Sequence, residues 1–250
     1  MKIIICGALG KMGAKLRENA LKTDEITPLC GVDIKCADLN GFKVYDSFDK
    51  IAEKADAVID FSSKASLENV LSYCVKTKTP AVLCSTGYDE NDLAAINKAS
   101  ENVALFRSAN MSLGVNVLIE AVKFAAKKLY DFDIEIIEKH HNKKADAPSG
   151  TAVMIKDGIK EVFPDRIEVY GRHGIVGARY KKEIGIHAVR GGTIVGEHQV
   201  IFAGDNESLT FTHNAESRDV FAAGALSAAR FIAKKEKGLF DMKDLLSENA

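Results

Sequence analysis

Near the start of the chain, a short apolar run, Ile3 to Cys6, passes straight into Gly7-Ala8-Leu9-Gly10-Lys11-Met12-Gly13, and a helical stretch follows. Glycine is needed where a backbone turns tightly and where a diphosphate must approach main-chain amides. The partial positive charge of a helix N-terminus favours such an anion. Asp33 ends the second predicted strand, 20 residues beyond Gly13, where an acidic side chain holds ribose hydroxyls. The GxxGxxG spacing alone is shared with ordinary glycine-rich turns. Strand, glycines, helix, strand and acid together point to dinucleotide binding. A carboxylate at position 33 pairs with free ribose hydroxyls and repels a 2′-phosphate, with Lys35 offsetting part of that repulsion. NADH is therefore favoured, with NADPH as the alternative.

Short apolar runs continue at Ile26 to Val32, Ala57 to Phe61, Ala81 to Cys84 and Val103 to Phe106. Between them Leu67, Val70, Leu71 and Cys74 form the stripe of an amphipathic helix. This βαβ order predicts an α/β fold with a Rossmann-like, doubly wound parallel sheet over residues 1–111. A further helical stripe runs from Val115 to Leu129, and then the texture changes to longer alternating segments. Strands are predicted at Asp133 to Glu138, Arg166 to Tyr170, Glu183 to Val189, Thr193 to Phe202 and Ser208 to His213. They predict a second, α+β domain over residues 112–218, built on a mixed, largely antiparallel sheet. Residues 219–250 read as a C-terminal helix returning to the first domain, stopped near Gly238 and ending in a polar tail, Ser247 to Ala250.

Composition removes several function classes. Of 250 residues, 46% are hydrophobic and 28% charged, and the net charge is −1 (34 Lys and Arg against 35 Asp and Glu). No overall field attracts nucleic acid or an anionic membrane, and no apolar run approaches the ~20 residues of a membrane span. Five cysteines without a CxxC pair argue against a disulfide framework and a structural zinc site, and point to a reducing compartment, the cytoplasm.

Loops at the carboxyl ends of parallel strands line the ligand crevice. Asp60-Phe61-Ser62-Ser63 and Cys84-Ser85-Thr86-Gly87-Tyr88 are two such loops. Ser62 and Ser63 are as well suited to capping the next helix as to meeting a nicotinamide ribose. Thr86 and Gly87 favour the ligand.

The strongest local signal is Glu138-Lys139-His140-His141-Asn142-Lys143-Lys144-Ala145-Asp146-Ala147-Pro148-Ser149-Gly150-Thr151-Ala152. It leaves a strand, carries two imidazoles and several ammonium groups, and enters a helix capped by Ser149. The amides of Gly150 and Thr151 form an anion site to which Lys144 adds a full charge, an arrangement that suits a carboxylate. Lysines destabilise a protonated histidine beside them, making it a ready proton donor once a substrate carboxylate restores the balance. A metal site is disfavoured, because adjacent strand residues point to opposite faces and no third ligand lies at a recognised spacing. Arg190, in Val189-Arg190-Gly191-Gly192, sits in a tight turn from which it could reach substrate or a neighbouring subunit, and a structural role is the reading taken. His173, His187, His198 and His213 read as sheet-surface or packing residues.

GALGKMG, VIDFSS, STGY, SANMSLGVNV, EIIEKHHNKKADAPSGTA, AVRGGTIVGEH and GLFDMKDLL, in this order, span nearly the whole chain. Together they resemble the 4-hydroxy-tetrahydrodipicolinate reductase (dihydrodipicolinate reductase) family. The resemblance implies NAD(P)H-dependent reduction of a small dicarboxylate in the diaminopimelate route to lysine, by a cytoplasmic homotetramer. It implies that His140 is the proton donor, that Lys144 orients substrate, and that His141, Gly150 and Thr151 contact it. It further implies that Gly7, Ala8, Gly10, Lys11, Met12, Asp33, Ser85, Thr86, Ser108, Ala109, Asn110 and Met111 line the cofactor. Two positions depart from the family pattern. Cys84 stands where glycine is frequent, and Ile34 follows the acid where NADPH-tolerant members often place arginine. Two other readings stand beside this one: an NAD(H)-binding sensor or scaffold without turnover, and an acylating aldehyde dehydrogenase, which needs a thiolate nucleophile.

Overall fold

The computed structural model describes residues 1–248. The chain divides into two compact units, Met1–Leu113 with the segment from Arg218 onward, and Gly114–Ser217. In chain order the first unit begins with β1 (Lys2–Cys6), α1 (Lys11–Leu21), β2 (Thr27–Val32), β3 (Ala37–Leu39) and β4 (Phe42–Tyr45). It continues with β5 (Ala57–Asp60), α2 (Leu67–Thr77), β6 (Ala81–Leu83), α3 (Glu90–Ser100) and β7 (Ala104–Arg107). The second unit holds α4 (Leu113–Lys128), β8 (Asp133–His140), α5 (Gly150–Val162), β9 (Ile167–Tyr170), β10 (Glu183–Arg190), β11 (Gly196–Gly204) and β12 (Glu207–Ala215). The chain then re-enters the first unit as α6 (Asp219–Ile232), β13 (Gly238–Phe240) and α7 (Met242–Glu248).

Among the described residues the first unit forms an eight-stranded sheet in the order β13-β7-β6-β5-β1-β2-β4-β3. Successive side chains of β1 serve opposite faces, as the pleat requires. Ile3 and Ile5 join the core with Leu16 and Ala20 of α1 and Ala225 and Ala229 of α6. Ile4 and Cys6 join Val70, Leu71 and Cys74 of α2 and Ile96 of α3. Every pairing is parallel except β3 with β4. Because β1 pairs with β2 on one side and β5 on the other, the strand order reverses at its carboxyl end, the position where such sheets bind ligands.

Sequence patterning passed over β3, β4 and β13, which are too short to show a period. The β3–β4 hairpin nonetheless carries a clear signal, Asn40-Gly41, both at positive φ (56° and 89°) as a type I′ turn demands. Of the expected polar tail, Ser247 and Glu248 belong to α7, while residues 249–250 lie outside the described residues.

The second unit carries a five-stranded sheet, order β12-β11-β8-β10-β9. The sheet is mixed, as expected: β12–β11 and β11–β8 are antiparallel and run over more residues than the parallel pairs β8–β10 and β10–β9. One-sided burial gives a period of two in either arrangement, and α5 supplies the long connection that a parallel return needs. Ile134, Ile136, Ile184, Ile186, Val200 and Phe202 pack beneath α4 and α5. Among the described residues no helix is long and apolar enough to cross a membrane.

Candidate functional site

In the first unit the glycine loop is built at the limit of backbone packing. Gly7 has φ +78°, and a Cβ there would sit 2.8 Å from the Phe61 carbonyl oxygen and the Ser62 nitrogen. A Cβ on Gly13 would lie 2.2 Å from the Gly7 carbonyl oxygen, so α1 abuts the loop only because position 13 is bare. Gly10 caps α1, whose first turn holds no acidic residue, leaving its positive end available to an anion. Ala8 is buried, Lys11 exposed and Met12 half-buried. The Asp33 carboxylate accepts from the Leu9 amide and from the Ile34 amide, at 2.8 Å each. A cleft of about 820 Å³ opens here, lined by Gly7, Gly10, Asp33, Ser62 and Ser63, with Asp46 and Asp49 adding negative charge. The bare glycines, helix terminus and acid at the end of β2 fit a dinucleotide.

Ser62 and Ser85 are both tied to one buried carboxylate. Asp60, wholly buried, accepts hydrogen bonds from the Ser62 amide (3.0 Å), the Ser62 hydroxyl and the Ser85 hydroxyl (3.1 Å). Ser62 therefore caps no helix, and Ser63 makes no side-chain cap bond. One carboxylate ties together the loops after β5 and β6. Thr86 and Gly87 are exposed beyond it, Gly87 at φ +82°. The Tyr88 phenol is pushed up from its ordinary range by burial and by Asp60.

After β7, the Ser108 hydroxyl donates to the Asn110 carbonyl (2.8 Å), and the Asn110 side-chain oxygen accepts from the Ser112 amide (2.8 Å). Ala109 is exposed and Met111 buried. A Cβ on Gly224 of α6 would lie 1.7 Å from the Met111 carbonyl oxygen, so α6 fixes this turn by close approach. Sequence reasoning gave α6 no such task.

In the second unit the end of β8, the start of α5 and the neighbouring ends of β10 and β11 meet around one carboxylate. Glu138 is fully buried. Its Oε2 lies 2.6 Å from His140 Nδ1 and accepts from Arg190 at 2.7 Å. Its Oε1 accepts from Arg190 at 2.7 Å and from the Ser149 amide at 3.0 Å. Burial pushes this carboxyl up, but the hydrogen bonds from Arg190, His140 and Ser149 outweigh it and hold it below its ordinary value. Ser149 caps α5 as expected from its place, its hydroxyl accepting from the Ala152 amide (3.2 Å). The same hydroxyl is hydrogen-bonded to His198 Nε2 (2.9 Å). His198 is pushed down to about 4 by burial and by the neighbouring His140, His213 and Lys144, so it is neutral at pH 7. The His140 and His198 rings meet edge to face, 5.2 Å apart.

Two expectations change here. The nearest ring partner of His140 is a carboxylate rather than an ammonium group: Lys139 pairs with Glu197 (2.6 Å) and Lys144 with both oxygens of Asp146 (2.8 Å), so Lys144 carries its charge beside a local counter-ion. Arg190 does more than shape a turn, since it grips Glu138 and also donates to the Asp146 carbonyl (2.7 Å). His198, read as a surface or packing residue, is a buried packing member of the cluster. Gly150 is exposed and Thr151 half-buried at the start of α5, while His141, half-buried, has its Nδ1 shielded from solvent.

Glu138 carried a readable signal. It continues the buried register of Ile134 and Ile136, and a carboxylate in an apolar register demands a partner. His187, on the opposite face, bonds Glu135 (2.7 Å) together with Arg172 and Arg179. Burial raises the Cys6, Cys74 and Cys84 thiols well above the ordinary range and Cys30 to about 11, so none of these four is a ready thiolate nucleophile.

Residues 1–111 match the family model described as dihydrodipicolinate reductase, N-terminus, and residues 114–246 match that of its C-terminus. The 4-hydroxy-tetrahydrodipicolinate reductase of Caldanaerobacter subterraneus subsp. tengcongensis is 50% identical over 249 residues, covering 99% of each chain. The Clostridium tetani protein of the same name is 45% identical, covering 99% of this chain and 97% of that protein. Among solved structures, the dipicolinate-bound dihydrodipicolinate reductase from Paenisporosarcina sp. TG-14 superposes with a TM-score of 0.83 at 23% identity, covering 96% of this chain and 97% of that one.

Proposed function

The chain belongs to the dihydrodipicolinate reductase family, and from that membership we propose a division of labour for its site. The enzyme is an NAD(P)H-dependent oxidoreductase that reduces 4-hydroxy-tetrahydrodipicolinate in lysine biosynthesis. Binding without turnover is not favoured.

When bound, the reduced nicotinamide supplies a hydride to C4 of the cyclic, conjugated imine. Gly7, Ala8, Gly10, Lys11, Met12, Asp33, Ser85, Thr86 and Ser108 to Met111 hold the dinucleotide. Lys144, His141 and the amides of Gly150 and Thr151 grip a substrate carboxylate, with Ser149 ordering the helix start. His140 delivers a proton from Nε2 to the ring carbon adjacent to C4. The observation that carries this reading is the hydrogen bond between His140 Nδ1 and Glu138, which engages one ring nitrogen and leaves Nε2 for proton transfer. NADH is the preferred cofactor, because Asp33, Asp46 and Asp49 line the cleft against a 2′-phosphate. The enzyme works in the cytoplasm as a homotetramer, a state that light scattering checks.

The test is direct. Purified protein is mixed with NADH or NADPH and the freshly made condensation product of pyruvate and aspartate semialdehyde. Loss of reduced-cofactor absorbance, abolished in His140→Ala, is the expected result. Wild-type turnover by His140→Ala removes the proton-donor role.

A further inference from the structure

Glu138 touches both halves of the proposed substrate site through hydrogen bonds. The fully buried carboxylate receives the His140 ring at 2.6 Å from its own strand, the Ser149 amide at 3.0 Å from the start of α5, and two guanidinium bonds of 2.7 Å from Arg190 on β10. A carboxylate gripped by two parallel Arg190 bonds is ionised, and an ionised carboxylate only accepts. The ring nitrogen facing it must therefore be the donor. In the neutral imidazole the proton sits on Nδ1 and Nε2 carries the lone pair. The proton donor is the imidazolium formed when Nε2 takes a proton from solvent, and Nε2 then passes that proton on while Nδ1–H stays on Glu138. Next to Nε2 the chain places Gly196, where a Cβ would lie only 3.2 Å away. The space beside the working nitrogen is thus kept clear by a bare backbone.

We propose that Glu138 is the positioning residue of the reaction: it sets the tautomer and direction of His140 and, through the Ser149 amide, ties that ring to the anion-binding start of α5. Arg190 compensates the buried charge and makes the arrangement durable. No bond to substrate is made by Glu138 itself. This inference rests on the proton-donor reading of His140, and its test separates the two.

The first measurement needs no variant. Nitrogen-15 chemical shifts of the wild-type His140 ring in its neutral form are expected to show a protonated Nδ1 and a bare Nε2. The opposite tautomer overturns the proposal, whether or not any variant folds. In Glu138→Gln the amide has one accepting end for donors on both sides, so either His140 or the Arg190 and Ser149 side meets an NH2 group. The expected result is a changed or mixed tautomer, with kcat lowered about 100-fold and KM raised much less, at unchanged folded fraction. A purely structural role would lower thermal stability while leaving tautomer and kcat alone. If His140→Ala is inactive and Glu138→Gln keeps wild-type kcat, the positioning role falls and the donor reading stands. If His140→Ala keeps wild-type turnover, the donor reading falls, and the positioning role falls with it.

Discussion

Arg190 and Glu138 stand on adjacent parallel strands, two residues apart in register, and join through two hydrogen bonds of 2.7 Å, one to each carboxylate oxygen. The carboxylate is wholly buried and the guanidinium 20% exposed, so the pair has its charge compensated without being fully removed from water. Taking away the cation strands a buried anion, and the cost of that exceeds the modest net worth of the pair itself. Arg190→Met is expected to destabilise the fold by about 3 kcal/mol, read from urea unfolding at pH 7. The depressed Glu138 carboxyl contributes stability that is present above its ordinary value of 4.5 and lost as pH falls below it. The difference between Arg190→Met and wild type should therefore shrink in acid. A difference that is constant from neutral pH down to pH 3 would show that the carboxylate is not what the arginine compensates.

His198 makes a second pH-dependent contribution, with the sign set by its downward displacement. Its value falls from 6.5 to about 4 because burial and the nearby His140, His213 and Lys144 oppose protonation. Between those two limits the unfolded chain binds a proton that the folded chain refuses. Stability is thus complete above pH 6.5 and declines as the solution is acidified toward pH 4. His198→Gln, which keeps a polar partner for the Ser149 hydroxyl, should flatten the fall in Tm over that window. An unchanged slope in calorimetry would assign the acid sensitivity elsewhere.

Lys144 sits in a bidentate contact with Asp146, 2.8 Å to each oxygen, with the lysine side chain 20% and the aspartate 61% exposed. An exposed pair of this kind contributes little to folding. Its charge matters for the carboxylate it is proposed to bind. Lys144→Ala should lower kcat/KM about 100-fold, or about 2.7 kcal/mol, and weaken pyridine-2,6-dicarboxylate binding in parallel, with Tm unchanged. Dicarboxylate affinity equal to wild type in isothermal titration would take Lys144 out of the site.

Gly13 makes the cofactor loop depend on the absence of one methyl group. A Cβ there would stand 2.2 Å from the Gly7 carbonyl oxygen and 2.7 Å from the Ala8 Cα, both main-chain atoms that have no rotamer in which to escape. Gly13→Ala must push α1 off the loop, at a cost of about 2 kcal/mol or more, and disperse the amides that face the diphosphate. Loss of NADH binding in fluorescence titration together with a lower Tm is the expected outcome. Tight NADH binding in this variant would disconnect the loop from the cofactor.

How much of this was readable beforehand depended on whether a feature is periodic or paired. The strand of Ile3 to Cys6, the glycines after it and Asp33 are local in sequence, and their physics is local too. Asn40-Gly41 was equally local but flanked by strands of three and four residues, too short to register as a pattern. Glu138 was visible as a charge in the register of Ile134 and Ile136, yet its partners Arg190 and Ser149 lie 52 and 11 residues away, and only the folded sheet brings them together. Lys144 reads from sequence as a full charge at an anion site, but no periodicity says that the loop turns to place Asp146 against it. His198 reads as surface or packing because strand alternation alone leaves open which face is covered.

Cofactor choice is proposed to turn on the rim around Asp33. Both oxygens of that carboxylate accept backbone amides, from Leu9 and Ile34, which pins the negative charge at the end of β2 where the ribose hydroxyls are expected. Asp46 and Asp49 line the same cleft, whose lining includes Lys76 as its cation, so a 2′-phosphate meets a net negative surface. Ile34 is 88% exposed and makes its backbone bond regardless of side chain, which leaves the position free to change without cost to the core. Placing a guanidinium there adds a fork that matches a phosphate and offsets the neighbouring carboxylates. Ile34→Arg should lower the KM for NADPH about tenfold while leaving that for NADH and the Tm nearly unchanged. Parallel KM measurements with both cofactors decide it: an NADPH KM that does not move would mean that the rim around Asp33 is not where the 2′-phosphate is judged.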